Sequence, residues 1–289
     1  STNNRQAEMI SCQGTAALGT TFRAGVAPIV VGSIQRSFFV SFMATQNNTT
    51  VLVNGYNPNV VFAGPGNSTI TSNSLTITLN KGQTYVLCGY STLDPANLNG
   101  FVGASVTSDK PIVMNNGNWT GSIENHPTYQ DIMADQAVPV NRIGTEYVCI
   151  RGNGLNAMEQ PLVIAHSNNT QVFIGGSTLP FVTLNAGQYA LIPESNYSGS
   201  AHESIYIRTS QPAYLYQPLG GSPLSSNSGM NFIPPVSCLL PTEAMIPNVN
   251  NIGPFSYTGD LVLVTTQGST VTRNSNVVTG AQAITGLQG

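Results

Sequence analysis

The chain has 289 residues, 40% of them hydrophobic and only 7% charged, with a net charge of −3. An average soluble domain carries about 25% charged residues, so Asn, Ser, Thr and Gly supply the polar surface here. A disordered chain would need high charge and few β-branched residues. The scattered basic residues exclude a nucleic-acid backbone as partner. No apolar run reaches the ~20 residues of a membrane helix. The sequence opens at Ser1-Thr2-Asn3 without a signal peptide, so a secreted protein would be seen here in its mature form.

Self-similarity organises the chain. The phrase TQNNTTVLVNG (45–55) reads as a turn followed by a strand, and ITLNKGQTYVL (77–87) as two strands around an Asn-x-Gly turn. FVGASVTSDKPIVM (101–114) reads as strand, polar turn, proline and strand. All three predict hairpins, with Asn and Gly supplying the turn conformations and Pro111 opening a strand where a missing N–H does least harm. The stretch TYQDIMADQ (128–136) is the best helix candidate, at most about two turns. After the proline-bearing entry VPVNRIG (138–144) the phrases recur in order: HSNNTQVFIGG (166–176), VTLNAGQYALI (182–192) and ESIYIRTSQPAYLY (203–216). A second entry, IPNVNNIG (246–253), leads to TTQGSTVTRNS (265–275), where the series stops.

The expected architecture is therefore all-β, as tandem β-sandwich-like repeats of about 100 residues. Repeat units are expected at 1–130 and 131–235, with an incomplete third at 236–289 that a longer polypeptide or another chain would complete. A propeller-like closed array is the alternative, but six strands per unit exceeds the four of a blade.

Few residues suggest chemistry. There is no GxSxG elbow, phosphate loop or dinucleotide fingerprint. His126 in SIENHPTYQD lies near Glu124, Asp131 and Asp135, and an enzyme or metal site would need that group to converge on a cleft. His166 reads as a solvated turn residue, and His202 and Glu203 as strand-edge residues. No cofactor or metal is expected. Trp119, in NNGNWTGS, could stack on a sugar or a partner protein, but is read first as a plug for the end of a sandwich. Sequons stand at Asn47, Asn48, Asn67, Asn118, Asn168 and Asn196. Cys12, Cys88, Cys149 and Cys238 lack zinc spacing and allow two disulfides or none, in three pairings.

The entry to the last repeat, MNFIPPVSCLLPTEAMIPNVNNIG (230–253) followed by GDLVLVTTQGSTVTRNS (259–275), resembles the N-terminal domain family of IgGFc-binding protein. ADQAVPVNRIGTEYVCI (134–150) and TSDKPIVMNNGN (107–118) resemble the same family. Where the family often has a cysteine before its acidic-Gln stretch, this chain has Met133 and Ala134, so the resemblance names no partner for Cys238. It implies an extracellular, non-catalytic binding or adhesion module of a secreted or cell-surface protein. The expected partner is a protein or glycan surface ligand, with self-association also open and no nucleic acid or transmembrane segment. No binding residue carries over. The alternative function is a self-assembling filament or matrix subunit joined by strand addition, motivated by the incomplete last repeat.

Overall fold

A computed structural model describes residues 12–30, 35–123, 131–152, 158–199, 202–220, 229–237, 242–243, 262–284 and 286. Alternating apolar and polar residues make strands because successive side chains in extended backbone point to opposite faces. Thr49–Asn54 shows the pattern: Thr49, Val51 and Val53 are buried, and the residues between them are half-buried.

The first sheet contains β1 (Gly19–Arg23), β2 (Ser37–Ala44), β3 (Thr49–Asn54), β6 (Ser74–Leu79), β7 (Thr84–Tyr90), β8 (Ser105–Gly121) and β9 (Asp131–Gln136); β4 (Val61–Ala63) and β5 (Thr69–Thr71) form a small ribbon beside it. Its spine is β8, 17 residues long. The first half of β8 pairs with β1 and β3, and the second half with β2 and β9. β6 lies on β3 and β7 on β2, so the sheet folds over on itself as a nearly closed two-layered sandwich.

The second sheet repeats this plan with β10 (Gly144–Ile150), β11 (Leu162–Ala165), β12 (Thr170–Ile174), β13 (Val182–Leu184), β14 (Tyr189–Leu191), β15 (Ser204–Leu219) and β16 (Gly229–Phe232). Its spine, β15, has 16 residues. The register repeats as well. Ala44 faces Ile112 as Ala165 faces Ala213, and Val51 faces Ser108 as Val172 faces Thr209. Both spines carry the same irregularity, between Gly19 and Thr21 on one partner strand and between Gly144 and Glu146 on the other. The all-β, sandwich-like repeat architecture expected from the sequence is the one formed.

The hairpins expected from the phrases of the first two units are not formed. β2 and β3 share no ladder, and neither do β6 and β7. The NNT and TLN-x-GQ turns instead carry the chain from one layer to the other. The Ser-x-x-Pro element is no turn either, since β8 and β15 run straight through it. β8 leaves β3 at Ser108 and joins β2 at Ile112; Pro111 lies in the gap, where no ladder bond is required of it. Pro212 occupies the same gap between Thr209 and Ala213. Nor is the described part of the helix candidate 128–136 helical: Asp131–Gln136 is strand β9, paired with β8. A tight-turn signal is local and looks the same whether it joins neighbouring strands or opposite layers. Pairing is decided by distant residues.

The repeated phrases are written twice because the two turns of each corner bind each other. Asn80 Oδ1 accepts from Asn48 N at 3.1 Å, and Asn47 Oδ1 accepts from Lys81 N at 3.1 Å. The second corner does the same with Asn185 and Asn169 at 3.3 Å, and Asn168 and Ala186 at 3.0 Å. Gln83 and Gln188 close each turn by accepting from Asn80 N and Asn185 N. Asn48 and Asn169 stand at φ 53° and 57°, and Gly82 and Gly187 at φ 81°, left-handed conformations that Asn and Gly accept with least strain. The long strands join in. Asp109 and Ser210 accept from Thr50 N and Gln171 N, while Lys110 and Gln211 donate to the carbonyls of Asn47 and Asn168.

The third phrase repeats the turn in part. Gly268, at φ 81°, stands where Asn48 and Asn169 stand, and Ser269 bonds back to Thr266. A hairpin follows, β17 (Thr272–Arg273) with β18 (Asn276–Val277), turning through Asn274 and Ser275 at φ 49° and 67°. The entry IPNVNNIG lies outside the described residues.

Two buried clusters result. One fills the second sandwich with Tyr147, Cys149, Val163, Val172, Ile207 and Leu215. The other fills the first sandwich and continues onto the outer face of the second sheet, through Leu162, Ile164, Tyr214, Tyr216, Met230 and Phe232. The second sheet therefore has two buried faces, one toward its own core and one toward the first sheet.

Candidate binding face

The residues singled out for chemistry do not assemble. Glu124 and His126 lie outside the described residues. Asp131 is half-buried and caps Ile132 N at 2.9 Å, and burial raises its pKa. Asp135 is fully buried and structural, accepting from Gln136 N at 2.8 Å and, across the junction, from Phe232 N at 2.7 Å. Glu203 precedes β15 and pairs with Arg151. Among the described residues no cluster of His, Cys, Asp and Glu is placed to hold a metal. Cys12, Cys88 and Cys149 carry free thiols, and burial pushes the Cys149 thiol strongly upward. Cys238 lies outside the described residues.

His166 is not a freely solvated turn residue. It is half-buried at the junction of the sheets, where Arg23 donates to the His166 carbonyl at 3.1 Å and to Gly103 O at 3.2 Å. Burial, then the nearby Arg23 cation, lowers the His166 pKa. The unfolded chain therefore takes up this proton first. The stabilisation it gives is fully present above the ordinary histidine value of about 6.5 and is lost as pH falls from there through the folded pKa. Urea titrations between pH 7.5 and pH 5 are expected to show this loss, and His166→Gln to remove that component; an unchanged pH profile in the variant would place the sensitivity elsewhere.

At the junction the outer face of the second sheet meets an extended segment of the first. Asn116 Oδ1 accepts from Gly25 N at 2.9 Å and from Tyr216 Oη at 3.3 Å. Asn118 holds both backbone groups of Ala27, at 2.8 and 3.1 Å. Tyr214 Oη donates to Val138 O at 3.0 Å. Gly25 is required because a Cβ there would overlap the Tyr216 ring. Tyr214 stacks on Tyr216, and Phe232 meets both edge-on.

The matching outer face of the first sheet is open across β7, β2 and β8, and at β9 Gln136 Oε1 accepts from Gln13 N at 2.6 Å. Register places Ser41, Met43, Thr84, Val86, Val113, Asn115 and Gln136 where the second sheet has Leu162, Ile164, Tyr189, Leu191, Tyr214, Tyr216 and Phe232. Met43 is 39% exposed and Val86 46%. Ser41, Met43, Thr84, Val86, Val113 and Asn115 line a half-open groove of about 310 Å³. Trp119 extends the face. It does not plug the sandwich: it is 39% exposed and lies on Phe39, with ring centroids 4.9 Å apart and planes 16° apart. None of these residues is charged. The sequence held one signal for this face, since FFVSFMA in β2 is apolar on both sides and a strand facing water on one side alternates.

The sequence profile of the family described as IgGFc binding protein matches residues 12–288, nearly the whole chain. The chain belongs to that family. No curated protein and no solved structure matches it. The family is one of binding domains, typically extracellular. No helix among the described residues is long and apolar enough to cross a membrane.

Proposed function

We propose that the protein is a non-catalytic adhesion module of a secreted or cell-surface protein, and that it contacts a protein or glycan ligand through the outer face of β7, β2, β8 and β9. One observation carries this reading: that face exposes Trp119, Met43 and Val86 with no charge among them, while its register counterpart is buried in the same molecule. Exposed apolar surface of this kind marks interaction sites. The test is binding of the intact chain to immobilised extracellular proteins and glycans, immunoglobulin Fc among them. Saturable binding that drops at least about tenfold in a Met43→Glu/Val86→Glu variant supports the reading. Binding that the variant leaves intact sinks it.

A second reading, a self-assembling subunit, draws on the 46–51% exposure of Val262, Leu263 and Val264. Strand addition there gives polymers that resist salt and grow with concentration, and light scattering distinguishes them from a monomer.

A further inference from the structure

We infer that the open face takes an extended, uncharged, small-residue peptide segment of its partner. This rests on the preceding assignment of the face as the contact surface. The same molecule shows what the fold places against such a face. At Tyr216 the outer face of the second sheet is covered by Ala24–Ala27, a run outside any strand whose small residues let the ring lie directly on the main chain. On the first sheet the register positions of Leu162, Tyr189, Tyr216 and Phe232 are held by Ser41, Thr84, Asn115 and Gln136.

These substitutions decide the kind of occupant. They remove the rings that fill the internal junction, so the face is no copy of that junction and suits a second copy of this chain poorly. Ser41, Thr84 and Asn115 leave shallow space with side-chain donors and acceptors, flanked by Met43, Val86 and Val113, while Gln136 Oε1 already accepts from Gln13 N at 2.6 Å. An extended segment has main-chain N–H and C=O groups that need partners once water is displaced, and this polar row supplies them. Alternate side chains of such a segment fall on the apolar flank, as in strand-like peptide recognition. A charged segment would lose its hydration with no opposite charge to meet it.

Trp119 is the only tryptophan in the chain and stacks on Phe39, two residues before the groove residue Ser41 in β2, so its fluorescence is the readout of occupancy. The intact protein is titrated with acetyl-Ala-Gly-Val-Ala-Pro-Ile-amide, the sequence of residues 24–29, and with the same peptide carrying aspartate at its first and fourth positions. The expected result is a saturating blue shift at roughly millimolar neutral peptide, at least about tenfold weaker with the charged peptide and in Met43→Glu/Val86→Glu. Four results overturn the inference: no shift, an equal response to both peptides, a response to chito-oligosaccharides alone, or a shift with protein concentration alone accompanied by dimers in light scattering. If ligand binding in the preceding assay depends on Met43 and Val86 while the peptides stay silent, this inference falls and the assignment of the face stands. If that binding ignores the variant, both fall.

Discussion

Alanine at Tyr216 is expected to destabilise the folded chain by about 3–5 kcal/mol, the cost of removing a large aromatic side chain from a filled site. The ring is fully buried and packs on Tyr214, Phe232 and the main chain at Gly25. The segment 24–27 cannot follow the lost ring inward, because Asn116 and Asn118 hold its backbone from the other side. Tyr216→Phe separates packing from hydrogen bonding. It gives up only the donation to Asn116 Oδ1 and is expected to cost about 1 kcal/mol. Urea denaturation reads both as shifts in midpoint at constant slope. A loss below about 1 kcal/mol for the alanine variant would mean that the sheets stand without each other, and the junction would be a contact of no energetic weight.

Asn118→Ala is expected to cost about 2–4 kcal/mol, from two buried backbone groups left without partners. Asn118 has no exposed surface, and its amide donates to Ala27 O while its carbonyl oxygen accepts from Ala27 N. Ala27 is itself 1% exposed, so water cannot replace the lost bonds. Thermal unfolding measures the effect, and a change within about 0.5 kcal/mol, the range of ordinary surface substitutions, would refute it. The same geometry bears on the sequon at Asn118-Trp119-Thr120: its amide nitrogen is engaged and enclosed, so expression in a glycosylating host is expected to leave it bare in folded protein. Intact-mass analysis of that material gives the answer directly.

The strands were legible from alternation, the turns from Asn and Gly, and the repetition from phrases such as TLN-x-GQ. The pairing was not. Whether Asn48 turns the chain back along its own layer or across to the other depends on whether Thr49 meets Leu79 or β2, and both partners read as strands. The Asp131–Gln136 segment misled because Asp131 and Asp135, four apart, share a face in a short helix and in a strand alike. His166 stands in a turn, so its burial came only from the second sheet settling against Arg23. The binding face was hidden for a related reason. Met43 and Ile164 occupy one register position, and only the packing of whole sheets leaves one open and covers the other.

The late position of the long strands bears on how the chain acquires its fold. β8 is the common partner of β1, β2 and β3, yet it follows them in sequence; Thr21 waits for Thr107, and Phe42 for Met114. A chain emerging from its N-terminus can form only the β2–β7, β3–β6 and β4–β5 ladders before β8 appears. The second sheet meets the same delay with β15. Closing loops of this length before any reward arrives makes folding slow, with apolar edges uncovered in the interval. Each repeat therefore matures in one late step, and an arrest just before Ser105 or Ser204 would leave the nascent polypeptide at its most vulnerable to aggregation.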